Sequence, residues 1–144
     1  MKTQIVLGPL FALLFGSFIY ISFRQDTLIL FDWLREIGVF EFAAGYRHYT
    51  LPFADNIPNW ILYSLPDGLW LFSYVSFALI IWDNKISKRS FIWIIIVPII
   101  AICSEIGQLF NIIPGTYDLV DIFIYIFFYI LAVQIFYKPS NYEY

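Results

Sequence analysis

The chain has 144 residues, of which 61% are apolar, 22% aromatic and only 13% charged, against about 25% charged in an ordinary globular chain. With a mean hydropathy of +0.77 it carries more apolar surface than a single water-facing domain can hide, which excludes a soluble enzyme and a disordered tail. Eight Lys and Arg against eleven acids exclude a nucleic-acid binder, and one cysteine and one histidine leave no disulfide, redox pair, cysteine metal cage or two-histidine site.

The predicted architecture is a single all-α integral membrane domain over residues 1–144. It is a four-transmembrane-helix bundle with spans at 3–23, 67–82, 91–110 and 118–137 and a long outer segment at 24–66. The first span, Thr3 to Phe23, has 21 uncharged residues and covers about 31 Å, close to the ~30 Å of a hydrocarbon core. It ends in aromatic residues rather than a small-residue cleavage site, so it is expected to remain as a membrane helix rather than be removed as a signal peptide.

In the outer segment, Asp26 or Thr27 is placed to cap a short helix. Leu28, Phe31, Leu34 and Ile37 recur on it near a 3.6-residue period, the pattern of an amphipathic helix lying in the membrane interface. Gly45 to Pro58 reads as loop, with a turn at Asn56–Asn59, and Trp60 to Leu65 is too short to span and suits the interface. The second span follows Pro66, with Asp67 as its expected N-cap. The third contains Pro98, which removes a helix hydrogen bond. Pro114-Gly115 closes a short connection that forces spans three and four into an antiparallel hairpin. Lys2, the Asp83–Ser90 loop and Lys138 share one side, so the positive-inside rule puts both termini in the cytoplasm.

Ionisable groups inside a membrane are costly, at least ~2.5–3.5 kcal/mol each on insertion scales. Glu105 and Gln108 lie three apart on one face near the outer end of span three, and Asp118 and Asp121 lie three apart at the start of span four. Asp67 shares their depth, and Arg47 and His48 belong to the loop covering that end. This cluster is the candidate ligand-binding site. Asp118 and Asp121 also read as an N-cap and its partner, and Glu105 also reads as a neutral buried carboxyl. Gln134 and the Ser73/Ser76 pair read as helix–helix hydrogen bonds. The carboxyls are compatible with a divalent cation, a proton-sharing acid pair or a clamp on Arg47. No catalytic residue, resident metal or cofactor is expected, and enzymatic activity is left open.

The run Ser104-Glu105-Ile106-Gly107-Gln108-Leu109-Phe110, followed by Ile113-Pro114-Gly115-Thr116-Tyr117-Asp118-Leu119-Val120-Asp121, resembles the signature of VanZ-like proteins, small bacterial multi-span membrane proteins. Tyr74 resembles the tyrosine of that family's preceding span. The likeness runs from Asp67 to Ala132. Thr116 stands where the family has an arginine, Tyr125 and Phe128 where it has asparagine and glycine, and the histidine usual before the tyrosine is missing. The resemblance implies a bacterial cytoplasmic membrane and a role in binding a cell-envelope lipid or amphiphile. If the family's turn arginine holds a phosphate-bearing lipid, Arg47 is the expected substitute here. The expected partners are the bilayer, a lipid ligand, and a larger membrane complex or homo-oligomer. A non-catalytic accessory subunit and a small ion- or proton-coupled transport component are the alternatives.

Overall fold

The structure is a computed structural model and describes residues 2–138; residue 1 and residues 139–144 of the expected domain lie outside the described residues. Among these no strand is present. The order is α1 (Lys2–Phe23), α2 (Ile29–Glu36), α3 (Phe40–Thr50), a 3-10 turn (Leu51–Asn56), α4 (Asn59–Tyr63), α5 (Leu65–Ile81), α6 (Lys88–Leu109) and α7 (Leu119–Phe136).

Three of these helices, α1, α6 and α7, are long and apolar enough to cross a membrane. The fourth expected span, α5, is equally apolar but has 17 residues, or about 26 Å of helix. It is nevertheless the hub, packing against α1, α6 and α7. Leu71, Phe72, Val75 and Leu79 of α5 meet Ala12, Ile94, Tyr125, Phe128, Ala132 and Phe136 in the core. Two glycines permit this approach. A Cβ on Gly16 would lie 3.1 Å from the Pro66 carbonyl, and one on Gly68 would lie 2.4 Å from Ile124 Cγ2. Lipid tails are as apolar as these side chains, so close backbone approach at small residues matters more here than in water. The opposite faces are bare: Phe11, Trp93, Phe123 and Phe127 are all exposed, as in helices whose outer surface meets lipid.

Several local expectations need correction. α6 begins at Lys88, one turn before the expected Phe91, because Ser87 and Ser90 form a reciprocal capping box (Ser87 N–H to Ser90 Oγ 2.7 Å, Ser90 N–H to Ser87 Oγ 3.2 Å). α2 forms as expected and buries Phe31, but its N-cap is Leu28 and neither Asp26 nor Thr27. The stretch read as loop from Gly45 is helical to Thr50 and then turns as a 3-10 helix, because Arg47 and Thr50 anchor it on the carbonyls of Ile21 and Ser22. Ser76 Oγ is buried without a partner and Gln134 is exposed, so neither makes the helix–helix hydrogen bond expected of it.

The connections fix which ends meet. Asp83 and Asn84 take left-handed backbone conformations (φ 53° and 62°) to close α5, and Lys138 N–H then donates to the Asn84 carbonyl at 2.8 Å, tying the end of α7 to that loop. At the other end, Asn111 (φ 56°) turns the chain, and Ile112 N–H reaches back to the Gly107 carbonyl at 2.8 Å. The end of α1, the start of α5, the end of α6 and the start of α7 therefore share one layer.

Candidate functional site

That shared layer holds most of the polar residues that the sequence singles out, plus one that it does not. Arg24 follows directly on α1. Its Nη2 donates to the Tyr63 carbonyl at 3.2 Å and to Asp67 Oδ2 at 3.5 Å, and its guanidinium stands over the rings of Tyr20 and Tyr63, 5.3 and 5.1 Å from their centroids. Asp67 is not the N-cap of α5. The helix starts at Leu65, because Pro66 is tolerated in a first turn, and this leaves the Asp67 carboxylate free to turn toward Arg24.

Glu105 is only 4% exposed. Its Oε2 accepts the backbone N–H of Asp118 at 3.4 Å across the hairpin. Asp118 is the N-cap of α7, its carboxylate accepting from Val120 N–H at 2.8 Å. Asp121, the third residue of α7, does not complete a capping box: its Oδ1 is buried with no hydrogen-bond partner. Tyr125, one turn further, is buried in the core. Gln108 makes no hydrogen bond to these acids. Its side chain lies flat on Gly115, where a Cβ would meet its Cδ at 2.7 Å, so it closes the turn.

Four carboxyls meeting near a membrane demand positive charge. Arg24 supplies one unit, and the N-termini of α5 and α7 each add the favourable end of a helix dipole. The Asp121 Oδ1 atom is left over. Such a layer can share a proton between neighbouring carboxyls or accept a donor or cation from a ligand. Among the described residues no group of three or more His, Cys, Asp and Glu is arranged to hold a metal ion.

Arg47 and His48 stand elsewhere. Arg47 is buried against the end of α1, donating from Nη1 to the Ile21 carbonyl and lying over the Phe31 ring at 4.7 Å from its centroid. Thr50 donates to the next carbonyl, Ser22, at 3.2 Å, so α3 acts as the C-terminal clamp of α1, where a cation is electrostatically favoured. Burial lowers the Arg47 pKa from its ordinary value, opposed by the nearby Asp26 charge. His48 is exposed and meets Tyr49 edge-on. The clamp of carboxyls on Arg47 is thus corrected: the cation among them is Arg24. Arg47, bound to Ile21 of α1 and lying over Phe31 of α2, makes no contact with the carboxyl layer among its hydrogen bonds and ion pairs. Arg24 was detectable, since it is the first charge after an uncharged span and so must sit at the depth of Asp67.

No family model, curated protein or solved structure matches this chain.

Proposed function

We propose that the protein is a four-span protein of a bacterial cytoplasmic membrane, similar to the VanZ-like proteins, with both termini cytoplasmic, and that it binds a cell-envelope amphiphile at its outer carboxyl layer. The supporting observation is the Asp121 Oδ1 atom, buried and unpartnered beside Glu105 and Asp67. A buried oxygen without a donor costs about 1–3 kcal/mol; the atom is sealed from solvent, so a hydroxyl, amide or amine on a ligand head relieves that cost by displacing the side chains that cover it. Asp118 and Glu105 shape the site by fixing the start of α7. The length of α5 suits a span because adjacent helices and local thinning of the bilayer absorb a few ångströms of mismatch.

Protein purified in mild detergent should carry lipid or amphiphile detectable by mass spectrometry. Asp121→Ala should lower its occupancy at least fivefold, and Glu105→Gln by less, with thermal unfolding within a few degrees of wild type. Unchanged occupancy in both variants would remove the support for this site.

A second reading, a non-catalytic accessory subunit of a larger membrane complex, draws on the exposed aromatic face of α7, where Phe123 is 63% and Phe127 58% exposed. On blue-native gels it demands a band far heavier than a dimer and containing other polypeptides. The amphiphile reading expects a monomer or homodimer.

A further inference from the structure

Each of the three outer arginines faces a different electrostatic situation. Arg24 has Asp67 at 3.5 Å and Arg35 has Asp32 at 2.6 Å. Arg47 has no carboxylate at salt-bridge distance among the described residues, although it is the most buried of the three, only 7% exposed. Burying a cation without a counter-ion is expensive. Its bond to the Ile21 carbonyl and its stacking on Phe31 use one edge and one face of the guanidinium. The Nε and Nη2 atoms donate to no protein acceptor, yet they are not sealed off, since neither is among the buried unpartnered atoms.

Arg47 lines an open cavity of about 550 Å³ between the end of α1 and α3, whose wall also includes Phe23, Arg24, Asp26, Phe40 and His48. It offers the Arg47 guanidinium and an imidazole against one carboxylate, with Arg24 on its wall and the Arg24 guanidinium held by Tyr63 and Asp67. Arg35 stands just behind, its guanidinium over the Phe40 ring at 4.3 Å and its Nη2 on the Asp26 carbonyl at 2.9 Å. A planar fork with unused N–H groups, in a basic, partly desolvated recess, matches tetrahedral oxyanions in shape and charge.

We propose that this cavity is an anion site that binds a phosphate group, with Arg47 as the principal ligand and Arg24 and His48 beside it. The phosphate is either a free ion or the head of a lipid, since the cavity opens at the end of a membrane-length helix. None of Asp67, Glu105, Asp118 and Asp121 lines this cavity, so the site does not depend on the carboxyl layer binding anything.

The test uses the full chain in phosphatidylcholine nanodiscs, in two arms. One measures saturable binding of radiolabelled inorganic phosphate. The other measures retention of phosphatidylglycerol against phosphatidylcholine by native mass spectrometry. Saturable phosphate binding assigns a free ion, and preferential retention of one phosphatidylglycerol per chain assigns a headgroup. In whichever arm binds, Arg47→Gln and the exposed-site variant His48→Glu should each weaken binding at least fivefold, and Asp26→Asn should strengthen it. Arg47→Gln also removes the clamp on α1, so His48→Glu and Asp26→Asn, both at exposed positions, keep the test decisive if that variant fails to fold. Absence of saturable binding in both arms, or binding indifferent to His48→Glu and Asp26→Asn, overturns the proposal.

Discussion

Gly68→Leu should abolish stable folding, and Gly68→Ala should lower stability by about 1–2 kcal/mol. A helical glycine normally gains up to ~1 kcal/mol on becoming alanine, so a loss here requires a steric cause. A Cβ at this position would fall 2.4 Å from Ile124 Cγ2 and 2.6 Å from Phe128 Cδ2. Ile124 is β-branched and stiff at χ1, and the Phe128 ring is wedged edge-on against Phe72 with centroids 6.3 Å apart. Neither yields cheaply, so α7 must move off α5. Overpacking of this kind costs about 1–3 kcal/mol, and three further carbons in leucine exceed what the contact can absorb. Gly8, in the exposed part of α1 with nothing within 4 Å of a Cβ, is the control: Gly8→Ala should be neutral or slightly stabilising. Thermal unfolding in detergent, followed by tryptophan fluorescence and gel filtration, separates the three variants. Wild-type stability for Gly68→Ala would mean that α5 and α7 do not approach at this point.

The legible parts of this fold are those written in hydropathy. Spans one, three and four can be read off within a few residues because a membrane-length apolar run has few other uses, and α2 because Leu28, Phe31, Leu34 and Ile37 keep a helical period. α3 escapes that reading. Its sequence, Phe40 to Thr50, has no apolar stripe, and Gly45, Tyr49 and Thr50 are weak helix formers; it is held by Arg47 and Thr50 binding the last carbonyls of α1, a tertiary cause invisible to local propensity. The same holds for the polar layer. That Glu105 would meet the start of α7 follows from the short hairpin connection alone. That Asp67 would turn to Arg24 depends on how α1 packs on α5, and the close approach at Gly16 leaves no periodic mark; that Arg47 would turn to α1 depends on how α3 folds back on it.

The cation in the carboxyl layer carries the second large effect. Arg24→Gln should cost about 2 kcal/mol at neutral pH. That lies between the 0–1 kcal/mol of an exposed ion pair and the 3–5 kcal/mol of breaking a buried one, because both side chains of the Arg24–Asp67 pair remain about a quarter exposed (24% and 25%). The contact itself, at 3.5 Å, is too long to be worth much alone. The loss arises because Asp67 also senses Asp121 and Glu105, so without Arg24 three carboxyls face one another with only helix dipoles to offset them. Protonation relieves that repulsion. The variant should therefore approach wild type in acid and fall progressively behind as the pH rises. Asp67→Asn should cost less, since Arg24 keeps the Tyr63 carbonyl and two tyrosine rings. The double variant Arg24→Gln/Asp67→Asn should recover more than half of the single-variant loss at neutral pH. Unfolding midpoints of the four proteins at several pH values close this cycle. A deficit in Arg24→Gln that is independent of pH would show that the arginine acts there through its packing on Tyr20 and Tyr63, and not through its charge.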